Sequence, residues 1–426
     1  MRMLHHIKQT RIRPSLLSRS FSSGPPENTA LHFYQNRQLE LYASKEAKRL
    51  TLRQLVYYGR SMTDERLIKS ANYVRTELPV RIAHRLRDLQ ALPYIVVTQE
   101  GVAKVYELYW SAFEKFRRYP PITTIEENAK FCDFVSALLD EHAPVIPNLS
   151  LGLSLSSPYL SPDKLDAFMR RMLVSRISRR VLAEHHIALS KAYSGHGLNS
   201  QSEPHVGIIF TGLSIKRSVE RCVNILYQNK TLATDFLKDS NSKLPQIQLE
   251  GHLDTQFAYI PEHLDYIIFE LLKNSMRAVY VNHQHKEAIP PIQVTIVAGD
   301  HDVGIRISDQ GGGLRNFQDK AVRPSDLFSF SHVRNAERLE DARIDALRDA
   351  SVSGKGLRAT IDEQINQKAD GHDALSRKSI GIGLPMSHIY ATYFGGSLDL
   401  VSLDGWGTDA YVRLPKLGTN LEGIEV

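Results

Sequence analysis

Glu270-Leu271-Leu272-Lys273-Asn274 and, further along, Asp309-Gln310-Gly311-Gly312-Gly313 are the stretches on which the reading of this chain turns. The first sits in a helical run from Pro261 to Val281, where i, i+4 spacing puts the carboxylate and the amide on one helix face. The second ends an alternating strand, Val303 to Ser308, in a triple glycine. A carboxylate at a strand end can accept from an exocyclic amine, and glycines beside it let the backbone approach a phosphate chain. An acid, an amide able to hold Mg²⁺ and a glycine turn together describe a nucleotide site.

Taken singly, each piece has a plainer reading. Glu and Asn four apart on a helix are most often a solvated face, and Asp before glycines is most often a turn. Two further elements strengthen the combination. Ser379-Ile380-Gly381-Ile382-Gly383-Leu384-Pro385 opens another helix, and Gly405-Trp406-Gly407-Thr408-Asp409 enters a last strand, Ala410 to Leu414. The four elements in this order resemble the ATP-binding fold shared by DNA gyrase, the ninety-kilodalton heat-shock chaperones, sensor histidine kinases and mismatch-repair ATPases. No G-x-x-x-x-G-K-[ST] stretch occurs, which sets the P-loop alternative aside.

Composition narrows the class. At 426 residues one or two domains are expected, and 42% apolar with 23% charged residues fits a globular chain. No apolar run is long enough to span a bilayer. Cys132 and Cys222 show no metal-ligand spacing, and the 17 histidines are scattered. The formal charge of +6 is concentrated at the N-terminus: Arg2, Lys8, Arg11, Arg13 and Arg19 precede the first acid, Glu27, among many serines. That is the composition of a mitochondrial presequence, with a processing site after Phe21. Taking those five from 53 basic residues leaves a near balance with 47 acidic ones, so the basic charge reflects targeting and no nucleic-acid partner is expected.

Apolar residues recur at helical spacing in Leu39 to Tyr58, Leu67 to Leu92, Val102 to Tyr119, Ile125 to His142 and Leu165 to Tyr193. Short proline-marked connections between them predict an antiparallel bundle over 36–193. The Ser- and Gly-rich stretch 194–204 reads as a linker. Strand-like segments Ile247–Gly251, Ile292–Ala298, Val303–Ser308, Ser397–Leu403 and Ala410–Leu414, with helices after Ser214 and Pro261, predict a second domain over 205–418. The fold class is therefore α + α/β: a bundle, then a sandwich of a mixed sheet with helices on one face. The 67 residues between Gly313 and Gly381 read as a flexible lid, 314–380, over the nucleotide. Within it Ser331 and His332 carry donors that could reach phosphates.

Motifs from end to end resemble the mitochondrial protein kinases of 2-oxo-acid dehydrogenase complexes. In the bundle these are Leu78-Pro79-Val80-Arg81-Ile82-Ala83-His84-Arg85, Leu92-Pro93-Tyr94-Ile95, Leu138-Leu139-Asp140-Glu141-His142 and Ser175-Arg176-Ile177-Ser178. In the second domain they are Leu264-Asp265-Tyr266-Ile267, Glu270 to Ala278 and Gly405 to Asp409. The resemblance implies an ATP- and Mg²⁺-dependent serine kinase of the mitochondrial matrix. It implies inactivating phosphorylation of the alpha subunit of the thiamine-dependent decarboxylase, docking on the lipoyl domain of the core acyltransferase, and a homodimer.

Carried over motif by motif, Glu270 is the general base and Asn274 holds Mg²⁺. Asp309 accepts from the adenine amine, and Thr408 lines the adenine pocket. Gly311, Gly313, Ser379, Gly381, Gly383 and Leu384 belong to the phosphate and lid hinges. Arg277 supports the phosphate end, with a surface ion pair the equal alternative. His142 takes a supporting catalytic role. Ser379 stands where the family has glycine, which stiffens that hinge. The short end after Leu414, the bundle motifs and Tyr266 look more like branched-chain kinases, whereas pyruvate dehydrogenase is the more widespread complex. The reading favours pyruvate dehydrogenase and keeps the branched-chain complex as alternative. Two rivals from other classes remain: a histidine kinase using a bundle histidine, and a non-catalytic ATP-dependent scaffold, which would be expected to lack Glu270 or Asn274.

Overall fold

The computed structural model describes residues 37–156, 159–195, 204–228, 244–283, 285, 288–314, 324–330, 382–417 and 420–424. The N-terminal part is helical: α1 Arg37–Ala43, α2 Leu52–Gly59, α3 Asp64–Gln90, α4 Tyr94–Val97, α5 Glu100–Arg118, α6 Ile125–Glu141, α7 Val145–Leu155 and α8 Pro162–Tyr193. The long helices α3, α5, α6 and α8 pack on one another through Leu78, Ile82, Phe113, Phe131, Phe168 and Leu182. Thr63 caps α3 and Thr124 caps α6, the latter in a reciprocal box with Glu127.

The single helix expected over 39–58 is instead two. The chain between them is drawn out because its donors go elsewhere: Lys48 N donates to Glu77 (2.8 Å) and Leu50 N to Glu422 (3.1 Å). Thr51 then restarts the helix in a capping box with Gln54. Helix α7, not anticipated, carries Pro147 near its start and meets α5 at Gly101, where a Cβ would lie 2.3 Å from the Asn148 carbonyl oxygen.

The C-terminal part comprises β1 His205–Val206, β2 Ile209–Ser214, α9 Ile215–Gln228, β3 Ile247–Gly251, β4 Gln256–Tyr259, α10 Pro261–His283, β5 Ile292–Ala298, β6 Asp302–Ser308, α11 Pro324–Leu327, α12 Gly383–Thr392, β7 Ser397–Leu403 and β8 Gly407–Pro415. The five-stranded sheet runs β3-β5-β6-β8-β7 and is mixed, with β3 parallel to β5 and the other pairs antiparallel. Its alternation is one-sided: Val294, Ile296, Val303, Ile305, Val412 and Leu414 are buried, whereas Val297, Val401, Leu403 and Tyr411 are exposed. Helices α10 and α12 cover the buried side. A small second sheet, β1-β2-β4, was not foreseen; β1 and β4 have only two and four residues, and burial along the six residues of β2 does not alternate.

One apolar cluster runs through both parts without a break. The chain end also ties them together. Leu421 bridges Thr51, and the buried Glu422 carboxylate accepts from Arg81 of α3 (2.8 Å) and from the Tyr393 hydroxyl beyond α12 (2.5 Å). The described piece of the expected lid, 324–330, docks on the bundle: Ser329 Oγ and Phe330 N donate to Asp166 (2.6 and 2.7 Å), and Phe328 stacks on His388 at 4.2 Å. The expected presequence, most of the lid and all but the ends of the linker lie outside the described residues. Among those described, no helix is long and apolar enough to cross a membrane.

Candidate active site

Helix α10 organises the site because it packs across the ends of β6 and β8 and against the start of α12. Glu270 projects to its buried side and is 4% exposed. Lys273, one turn on, donates from Nζ to Glu270 Oε1 at 2.7 Å. The other oxygen faces the first residue of α12: a Cβ at Gly383 would lie 2.2 Å from Glu270 Oε2. Only glycine permits that approach, and it sets a carboxylate at a helix N-terminus, where the macrodipole favours negative charge. Leu384 follows, half-buried. Asn274 and Arg277 lie on the exposed edge of α10, beside the buried carboxylate. Tyr266, one turn before Glu270, is buried with its ring 5.1 Å from Tyr390 of α12.

Asp309 closes the other end. Its Oδ1 accepts from Gly311 N (2.8 Å) and Thr408 N (3.2 Å), and its Oδ2 from Ser275 Oγ of α10 (2.8 Å). Asp309 N donates to Thr408 O at 3.0 Å, extending the β6–β8 ladder by one residue. Burial raises the Asp309 pKa above its ordinary value, and the three bonds to the carboxylate oppose that rise. Small residues permit the crowding. A Cβ at Gly311 would sit 2.4 Å from Ala278 Cβ, and one at Gly407 only 1.8 Å from the Asp309 carbonyl oxygen. Gly312 and Gly313 adopt φ of 88° and 79°, which side chains with a Cβ rarely take. Gly312 N donates to Trp406 O (3.0 Å) and Gly405 N to Gly312 O (3.1 Å), so the two glycine loops form one unit.

The structure thus brings Glu270 to Gly383, with Asn274 on the same helix, and brings Asp309 to Gly311 and Thr408. It sets His142 among bundle residues. That residue ends α6, with Nδ1 2.7 Å from Leu138 O and its ring edge-on to Tyr109; its own carbonyl accepts from Arg176 (2.8 Å). Burial, then the Arg179 charge, push the His142 pKa down to about 4, so the ring is neutral at pH 7. Ser331, His332, Ser379 and Gly381 lie outside the described residues. Sequence reasoning missed Lys273, Ser275 and Gly407. All three stood inside the quoted motifs, but their partners are set by tertiary approach alone.

The sequence profile of the family described as "Mitochondrial branched-chain alpha-ketoacid dehydrogenase kinase" matches residues 49–210. Over most of its length the chain is similar to mitochondrial "[Pyruvate dehydrogenase (acetyl-transferring)] kinase 2" of Saccharomyces cerevisiae, at 29% identity covering 93% of this chain and 87% of the relative. The Arabidopsis thaliana pyruvate dehydrogenase kinase matches at 29% identity over 88% of this chain and 92% of its own length. Human isozyme 1 matches at 28% over 96% and 86%.

Proposed function

We propose that the chain belongs to the family of mitochondrial 2-oxo-acid dehydrogenase kinases, to whose members it is similar over most of its length, and that it is an ATP-dependent protein-serine kinase acting on pyruvate dehydrogenase. The observation that carries the reading is the Glu270 carboxylate, pinned between Lys273 and the N-terminus of α12 with an exposed amide, Asn274, one turn away. In this reading the C-terminal part is an ATP-binding sandwich of the gyrase and histidine-kinase type.

Phosphoryl transfer is mainly positioning and charge neutralisation. The incoming serine hydroxyl donates to Glu270, which takes its proton as the oxygen attacks the terminal phosphorus of ATP; the P–O bond to ADP breaks. Lys273 keeps Glu270 oriented until the hydroxyl arrives. Asp309, fixed by Ser275, Gly311 and Thr408, has about one of its four acceptor sites left beyond those three bonds to accept from the adenine amine. The glycines at 311–313 and Gly383 let backbone lie close to phosphates, with Arg277 on the same exposed edge as Asn274.

The Asn274 side chain is a hard oxygen donor on an exposed surface, which suits Mg²⁺, an ion that keeps several waters and takes few protein ligands. When bound, that ion supplies charge neutralisation at the phosphates. Ser331, His332, Ser379, Gly381 and Leu384 complete the proposed nucleotide surroundings. His142, whose buried Nε2 has no hydrogen-bond partner, keeps the supporting role that the resemblance implies.

The proposed setting is the mitochondrial matrix, with the decarboxylase alpha subunit as substrate, the lipoyl domain as anchor and a second copy as dimer partner. A branched-chain decarboxylase is the second reading, favoured by the description of the matched family and by Tyr266. A histidine kinase is disfavoured because His185 and His186 are 5% and 1% exposed, inside the bundle. Incubation with Mg-ATP and each purified decarboxylase tests the proposal. Acid-stable phosphate on the pyruvate dehydrogenase alpha subunit is expected; labelling of the branched-chain subunit alone reassigns the substrate, and acid-labile label on the kinase alone overturns the serine reading.

A further inference from the structure

Asp166 of α8 accepts from two successive residues of the segment 324–330, Ser329 through Oγ (2.6 Å) and Phe330 through its backbone N–H (2.7 Å). Both distances are those of charge-assisted bonds. The segment's own regular structure is a single helical turn, α11, which is too short to be stable alone. Its anchors therefore set its position. Leu327, Ser329 and Phe330 are all buried in that position.

Phe330 reaches the start of α12. It lines one small cavity with Ile382, together with Ser150 and Leu153 of α7 and Leu165 and Met169 of α8. Ile382 is the N-cap residue of α12 and has no side-chain oxygen with which to cap the helix. Packing of Ile382 against this wall thus places the first turn. The placement matters at the next residue, because a Cβ on Gly383 would lie 2.2 Å from Glu270 Oε2. Farther along α12 the same bundle helix takes hold again. Arg170, one turn after Asp166, donates to His388 Nδ1 (3.1 Å) and Thr392 Oγ1 (3.3 Å), and Phe328 stacks on His388 at 4.2 Å. One face of α8 therefore holds both the segment and α12.

We propose that Asp166 is a positioning residue for phosphoryl transfer. By holding Ser329 and Phe330 it keeps Phe330 in the wall that Ile382 packs on, and so fixes how Gly383 meets Glu270. It acts through the base and not on the reacting atoms. Its effect on rate rests on the kinase reading given above; the link from Asp166 to the start of α12 does not.

Asp166→Ala removes both acceptors and leaves the buried Phe330 N–H without its partner. Hydrogen exchange on the full chain, without nucleotide or substrate, reads the link. Exchange should quicken at 327–330 and also at Met386, whose amide donates to Ile382 O in the first turn of α12 (2.9 Å). With the decarboxylase alpha subunit as substrate, kcat should fall about tenfold, the scale of a misplaced reacting group, while Mg-ATP affinity changes less than about threefold. Asp166→Asn keeps an acceptor for Phe330 N–H, and its amide can donate to Ser329 Oγ, so most of the rate should return. Ser329→Ala removes one bond and should show the same pattern at smaller amplitude, including where Asp166→Ala does not fold. Combined with Gly383→Ala, Asp166→Ala should cost little beyond the larger single loss, because both act on one contact. Faster exchange confined to 327–330, with Met386 unchanged, overturns the proposal. So does a wild-type kcat in Asp166→Ala, or losses that simply multiply in the double variant. Absence of transfer by the wild type would remove the kinase reading instead, and exchange at Met386 would still decide the link between Asp166 and α12.

Discussion

Asp309 and Glu270 both lean on α10, and both are buried, yet they are held by different kinds of partner. Asp309 receives two backbone N–H groups and a serine hydroxyl, all set by the meeting of β6, β8 and α10. Glu270 receives a lysine whose side chain is 27% exposed, while its second oxygen rests against Gly383. Backbone donors cannot swing away, so Asp309 has one geometry and suits recognition of a fixed group. A lysine can let go, so Glu270 can exchange its partner for an incoming hydroxyl and suits proton transfer. Asn274, on the exposed edge of the same helix, suits an ion that arrives with its nucleotide. The difference separates a part built to hold from a part built to react, and the predictions that follow probe it from the reacting side to the holding side.

Asn274→Ala removes the one protein oxygen assigned to the metal. Mg-dependent ATP binding should be lost, and phosphorylation with it. Calorimetry with Mg-ATP reads this; unchanged affinity would place the ion elsewhere.

Glu270→Gln keeps the oxygen that Lys273 bonds but removes the basic site. ATP affinity should stay nearly intact and transfer should fall by roughly 100-fold or more. Near-full activity would show that Glu270 only positions its neighbours.

Gly383→Ala drives a methyl to 2.2 Å from Glu270 Oε2. The carboxylate must turn away, because the opposing atom belongs to a side chain while α12 is fixed by packing. Transfer should fall about tenfold with ATP affinity less affected, since this geometry lies on the reacting side. A drop confined to ATP affinity would move Gly383 to the holding side.

The outline of this site was legible in the sequence, and its wiring was not. Glu270, Asn274 and Asp309 stood out because helical period and a triple glycine mark where side chains and backbone must go. The strand bounds Ile292–Ala298 and Ser397–Leu403 were legible for the same reason, since β-branched and apolar residues alternate between turn signals. That Ser275 bonds Asp309, or that Gly383 touches Glu270, depends on how α10, β6 and α12 approach. No local period encodes that approach. His142 marks the same limit, because a histidine that ends a helix looks the same in sequence whether it faces a substrate or Tyr109. The split of 39–58 was hidden for a kindred reason: Leu50 finds its acceptor in Glu422, 372 residues away.

The smallest effect sharpens the comparison most, because it asks whether the Asp309 bonds outweigh its burial. Its folded-state pKa lies above the ordinary 3.8, with burial the leading cause. The folded state then binds the proton more tightly than the unfolded one. Stability from this group is full below the unfolded pKa and is lost as pH rises through the folded one. Asp309→Asn has no such titration. The unfolding free energy of the wild type minus that of the variant should therefore fall as pH rises from below 3.8 and level off above the folded-state value. Urea titrations of both proteins across that range measure the difference, and titrating groups common to both cancel. Both proteins will be weak in acid, so the difference matters, not either curve. A difference that rises with pH would reverse the balance. Ser275, Gly311 and Thr408 would then stabilise the ionised carboxylate by more than its burial costs.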